Sequence, residues 1–147
     1  MPSIWDPTVR ADLVRRAQAL TPAHGAKWGQ LTVAGMVAHL NEASRMTLGE
    51  LPVNAKAPPF LKLAPVRYLV IHVFPMPKSA PTAPELLARS NDADLIREVA
   101  DFTLLIERVA AAATLAPSHP AFGPMTRHDW GVLAHKHTDH HLRQFGV

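Results

Sequence analysis

Nine histidines occur among the 147 residues, and five of them fall between His128 and His141. A neutral imidazole offers a nitrogen lone pair to a transition metal, and it also moves protons near pH 7. Which of these it does depends on where the rings point. Thr126-Arg127-His128-Asp129 has the form of a helix start, with Thr126 as N-cap and Asp129 placed to return the bond. The predicted helix runs to about Gln144. On a wheel of about 100° per residue with Trp130 at zero, His137 falls near −20° and His141 near +20°. Leu133 falls near −60° and Ala134 near +40° on the same wheel. His137 and His141 therefore share the apolar face, while His135 and Asp139 point to solvent and His140 lies on the flank.

Two histidines four residues apart on one helical face can ligate one ion. Imidazole nitrogens suit zinc, nickel, copper and iron(II). The chain has no cysteine, so neither a thiolate site nor a disulfide framework is available. A third ligand must come from a facing element. His39 is the candidate, because it sits among Met36, Leu40 and Ala43 on the apolar side of another predicted helix. Three histidines with open positions make a catalytic type of site rather than a closed structural one. Two plainer readings compete: core histidines with satisfied hydrogen bonds, and a solvated, pH-sensitive histidine surface. Against them, burying unpaired imidazoles is costly, and a shared metal removes that cost.

The elements that must position these residues are helical. Asp6-Pro7 is an N-cap followed by proline at the first helical position, and Val9, Leu13, Ala17 and Leu20 follow at helical spacing up to Thr21-Pro22. Thr32 caps a second helix to about Leu48, with Val33, Met36, Val37, Leu40, Ala43 and Met46 as its apolar stripe. Gly49 stops it. A third long helix is predicted from about Asp92 to Thr114, on Leu95, Val99, Phe102, Ile106, Val109 and Ala113. Between the second and third, Leu51 to Pro84 is broken by eight prolines. A short helix is expected there after Pro65. Val70-Ile71-His72-Val73 would also suit a strand, but nothing else in the chain offers it a partner. Thr82-Ala83-Pro84-Glu85 has the form of a capping box. The fold class expected is all-α: one domain over residues 1–147, an antiparallel four-helix bundle with one long proline-rich crossover.

Composition narrows the function classes. Hydrophobic residues make up 48% and charged residues 18%, a globular balance. The net charge of +3 leaves anionic ligands open. The basic residues are scattered, apart from Arg15-Arg16, so a nucleic-acid interface is not expected. The opening Met1-Pro2-Ser3-Ile4-Trp5-Asp6 does not have the pattern of a signal peptide. Phe60 to Phe74, the most apolar stretch, is interrupted by Lys62 and Arg67 and is too short to span a bilayer. No membrane partner is expected, and a cysteine-free chain fits the reducing cytoplasm.

Several segments together resemble a known family. They are Trp28-Gly29-Gln30-Leu31-Thr32, Met36-Val37-Ala38-His39-Leu40, His119-Pro120-Ala121-Phe122-Gly123-Pro124-Met125-Thr126, Trp130-Gly131, and Lys136 to Val147 with its His137-Thr138-Asp139-His140-His141 core. From about Val9 to the C-terminus the chain resembles the DinB-like superfamily of metal-binding four-helix bundles, and within it an uncharacterised branch of small bacterial proteins. The resemblance implies one histidine on the second helix and a His-x-x-x-His pair on the last, together holding nickel or zinc. These map onto His39, His137 and His141, the residues chosen by the wheel. It also implies a reaction class. Characterised relatives are mostly transferases of a low-molecular-weight thiol, using bacillithiol, mycothiol or glutathione. One type instead isomerises maleylpyruvate with a thiol cofactor. Fold does not set function, so the substrate stays open.

No Asp or Glu lies on the His137/His141 face, which leaves His140 on the flank and Glu42 near His39 as candidate catalytic bases. Gln144, one turn beyond His141, is placed either to accept from an imidazole N–H, as metal-bound histidines require, or to cap the C-terminus. Trp28 and Trp130 read as core near the bundle end, as do Met36 and Met46. Arg143 reads as a partner of the C-terminal carbonyls. The leading expectation is a metal-dependent thiol transferase acting on a small-molecule substrate. The alternatives are a non-catalytic, stress-related metal- or ligand-binding bundle, and a structural bundle with buried histidines. Bundles of this type often pair, so a homodimer stays open.

Overall fold

The computed structural model describes residues 1–147. Three of the predicted caps set the starts of their helices. The Asp6 carboxylate accepts the Thr8 amide at 2.8 Å and opens α1, Pro7–Gln18, with proline at its first position. The Thr32 hydroxyl accepts from Gly35 at 3.0 Å and opens α2, Val33–Thr47. Thr126 and Asp129 form the reciprocal capping box that opens α5, Arg127–Gln144.

The third long helix, α4, spans Leu95–Ala111, opening on an Asp94 cap slightly later than the start expected near Asp92. It also stops three residues short of Thr114, although Ala110 to Ala113 favour helix. The reason is tertiary. Arg127, the first residue of α5, donates to the carbonyls of Ala112 at 2.8 Å and Ala110 at 3.0 Å. These are the carbonyls that a helix end leaves open.

The proline-rich crossover is helical in short pieces. A 3₁₀ turn at Pro59–Lys62 leads into α3, Ala64–Tyr68, which continues as a π turn over Leu69–Val73. The strand reading of Val70 to Val73 is thus excluded. Lys136 of α5 donates to the carbonyls of Val70 at 2.6 Å and Ile71 at 3.2 Å. Partly buried at this contact, its ammonium has a pKa lowered by desolvation. The His72 ring meets the Asp129 carboxylate at 2.8 Å. These bonds pin the crossover onto the start of α5. The Thr82 capping box does not form: Pro84–Leu87 is a 3₁₀ turn without a side-chain cap, and Glu85 instead accepts from the Asn54 amide at 3.2 Å. A two-residue antiparallel pairing, β1 Ser118–His119 with β2 Gly123–Pro124, was not expected from the sequence. It tightens the turn between α4 and α5.

The long helices touch in the cyclic order α1, α4, α2, α5. Leu13 of α1, Met36 of α2, Phe102 of α4 and Leu142 of α5 are each at most 1% exposed in one shared core. Each such side chain stabilises the fold by about 1.5–3 kcal/mol relative to exposure. A second cluster, Met46, Ile71, Trp130, Val132 and Leu133, forms where the crossover covers α5. This cover buries Val132, which the wheel places on the side opposite Trp130. α5 is therefore enclosed on more sides than its sequence pattern indicates. The N-terminal segment closes the same end. The indole of Trp5 donates to the Arg127 carbonyl at 2.9 Å, and a Cβ on Gly131 would lie 2.1 Å from the Trp5 indole nitrogen. Only glycine admits that approach. No helix is long and apolar enough to cross a membrane.

Candidate metal centre

α2 and α5 bring His39, His137 and His141 together, and one ligand nitrogen from each lies within 4.8 Å of the others. The three rings form a nearly equilateral set. Their centroids are 4.9 Å apart for His39–His137, 4.9 Å for His39–His141 and 4.8 Å for His137–His141, all edge-on. The i, i+4 spacing on α5 accounts for the last of these. The packing of α2 against α5 supplies the other two.

Partners on the outer nitrogens orient two of the rings. His39 Nδ1 lies 3.2 Å from the Leu86 carbonyl, an acceptor, so this nitrogen carries the proton and Nε2 keeps its lone pair. His141 Nδ1 lies 2.7 Å from Gln144 Oε1. Gln144 Nε2 in turn donates to the Trp28 carbonyl at 2.7 Å, which fixes the amide so that its oxygen faces His141. Gln144 thus has the first of the two roles expected from its place one turn beyond His141. Gly29 carries φ +75°, and a Cβ there would lie 2.8 Å from Gln144 Nε2, so glycine keeps the Trp28–Gln144 contact open.

His39 Nε2 and His137 Nε2 are 2.9 Å apart. Two imidazole nitrogens about 2.1 Å from one ion, at a right angle, are about 3 Å apart. This pair is spaced as two ligands of one divalent ion would be, and imidazole nitrogens suit borderline ions as a class. Burial holds all three rings toward the neutral form that ligation needs. It lowers the pKa of His39 against the Leu86 hydrogen bond, and that of His141 to about 3. It holds His137 well below its ordinary value, with the neighbouring histidines adding to the effect.

The triad lines a cavity of about 650 Å³. Trp130, Leu133 and Phe102 contribute apolar wall, and the crossover from Met76 to Leu87 supplies the side facing α5. The sequence reading missed that role for the crossover. The available signal was its length, since long loops in compact domains are commonly functional. His119 is a second miss: it stacks on Phe122 at 4.6 Å, and burial lowers its pKa to about 4. Trp28, expected in the core, lines the cavity instead, while Trp130 is buried and also reaches it.

The candidate bases separate. His140 lines the cavity beside the triad, its ring 5.3 Å from His141 and 5.4 Å from Trp28. Glu42 is buried but turned to another network, accepting from Arg89 at 2.8 Å and from Arg45. It does not line the cavity. Asp139, expected toward solvent, is partly buried, accepts from Arg16 of α1 at 2.8 Å and forms an ion pair with Arg143 at 3.0 Å. Arg143 therefore pairs with Asp139, and Arg16 reaches the Val147 carbonyl at 3.0 Å. His135 is partly buried rather than solvated, and stands outside the triad.

A family model matches residues 9–146, nearly the whole chain. The chain belongs to the DUF1569 family, described as a protein of unknown function. No curated protein and no solved structure matches it. The matched span of this DUF1569 chain includes all three triad histidines, His140 and Gln144. The family description names no activity.

Proposed function

We propose that this DUF1569 protein is a DinB-like, metal-dependent transferase that joins a low-molecular-weight thiol, or a related nucleophile, to a small electrophile. The convergence of His39, His137 and His141 on a mostly apolar cavity carries the reading. The cyclic contact of α1, α4, α2 and α5 supports a four-helix bundle of DinB-like type.

His39, His137 and His141 would hold one nickel or zinc ion, which when bound supplies a Lewis acid that favours the thiolate at neutral pH. The Leu86 carbonyl and the Gln144 amide hold two of the rings in the binding tautomer. The apolar wall of Trp130, Leu133 and Phe102 keeps water from the reacting atoms. With no Asp or Glu on the cavity wall, His140 is the group placed to take the thiol proton on a ring nitrogen. Burial lowers its pKa, against the pull of Asp139, so it is neutral and able to accept.

Without an ion, the His39–His137 contact is a hydrogen bond and the triad a buried polar cluster. Metal analysis of untagged protein purified without chelator separates the two. The expected result is about one nickel or zinc per chain, retained in His135→Ala and lost in His137→Ala. Conjugation of a thiol to an electrophile should then depend on the ion and on His140. A protein that neither retains nor takes up nickel or zinc would overturn the reading.

A further inference from the structure

The charge on the cavity wall is one-sided. No Asp or Glu lines it, and Lys78 is the single residue of fixed charge that does. The Lys78 ammonium lies 4.6 Å above the Trp28 ring and is paired with no protein carboxylate. Under it, Trp28 Nε1 is buried and has no hydrogen-bond partner. The other two indoles are satisfied: Trp5 donates to the Arg127 carbonyl and Trp130 to the Ala116 carbonyl at 2.8 Å. A buried indole N–H is costly to leave unpaired. Trp28 lines the cavity, and none of the protein's own acceptors reaches this N–H.

We infer that Lys78 and Trp28 form a carboxylate-binding subsite that anchors one end of the cavity's small-molecule substrate. One ammonium and one neutral N–H balance a monoanion with two acceptor oxygens. A phosphate dianion would be left with charge uncompensated by anything on this wall. The subsite is built into the frame of the triad, because the Trp28 carbonyl receives the Gln144 amide that orients His141. From Trp28 the path to the triad passes His140, at ring spacings of 5.4 and 5.3 Å. Apolar wall, including Val53, Met76 and Leu133, lines the cavity on the Trp130 side of the triad. The ligand described by this arrangement has a carboxylate at one end, its reacting atom further in past His140, and an apolar portion on the far side. The inference rests on the proposed reading of the cavity as the reactant site, but its test requires no metal.

Butyrate and butyramide match in shape and differ in charge. The readout is the Trp28 indole N–H signal in proton–nitrogen NMR of the purified full chain, assigned by its loss in Trp28→Phe. Butyrate should move that signal downfield and leave those of Trp5 and Trp130 in place. Butyramide should bind about tenfold more weakly or worse, the scale of one charge-assisted hydrogen bond. The exposed Lys78→Gln substitution should weaken butyrate by a similar factor while the protein stays folded. An unmoved Trp28 signal, equal binding of butyramide, or tighter binding of inorganic phosphate would each overturn the subsite. Metal content, measured separately, decides the triad whatever the carboxylate does.

Discussion

Gln144→Leu tests whether the site is built for an ion rather than merely compatible with one. Gln144 is 4% exposed and makes two hydrogen bonds of 2.7 Å, accepting from His141 Nδ1 and donating to the Trp28 carbonyl. Leucine fills similar space and makes neither. The His141 ring then loses the acceptor that keeps the proton on Nδ1, and is free to flip or change tautomer. Loss of such an outer partner typically weakens metal binding by about 10–100-fold, or roughly 1.4–2.7 kcal/mol. The metal-free protein should lose roughly 1–3 kcal/mol of stability as well, because two buried polar groups become unpaired. Competition against a chromophoric zinc chelator measures the first quantity, and urea unfolding of metal-free protein the second. His135→Ala is the control and should leave zinc affinity unchanged. If Gln144→Leu binds zinc within twofold of the parent while its metal-free form is destabilised, Gln144 is a structural bridge and the ligand-orienting argument fails.

Two further outcomes follow from groups outside the triad. Burial lowers His119 from its ordinary 6.5 to about 4, so the unfolded chain binds more protons than the native one in that window. Its stabilising effect is complete above pH 6.5, falls as pH drops toward 4, and amounts to about 3 kcal/mol. His119→Gln should flatten that part of the pH–stability curve, and an unchanged slope would refute the assignment. Glu98 is fully buried. It accepts from Arg89 at 2.7 and 3.2 Å and from Asn41 at 2.7 Å. Burial works to raise its pKa, but the Arg89 and Asn41 bonds prevail and lower it. Its stabilisation is therefore present above the ordinary carboxylate range and lost as pH falls through the lowered value. Glu98→Gln should cost roughly 3 kcal/mol in chemical denaturation, the low end for a broken buried pair because Arg89 still reaches solvent. A change under about 0.5 kcal/mol, the level of an exposed position, would contradict the network.

Local chemistry was enough to read three of the helix starts and the ligand pair. Asp6-Pro7, Thr32 and the Thr126–Asp129 box satisfy amides within three residues of themselves, and a spacing of four on α5 puts His137 and His141 side by side in any straight helix. His39 and Gln144 were also legible, because each lies on an apolar face where a polar side chain needs a reason. What the sequence could not decide depends on contacts between distant segments. α4 ends at Ala111 because Arg127 takes its last carbonyls. Val132 is buried because the crossover is clamped on α5 by Lys136 and His72. Glu42 and His140 were equal candidates from the wheel, until Arg89 drew one carboxylate away and the cavity wall received the other ring. The partnerless indole of Trp28 beneath Lys78 is of the same kind. Fifty residues of chain separate the two side chains, and only the folded crossover sets one above the other.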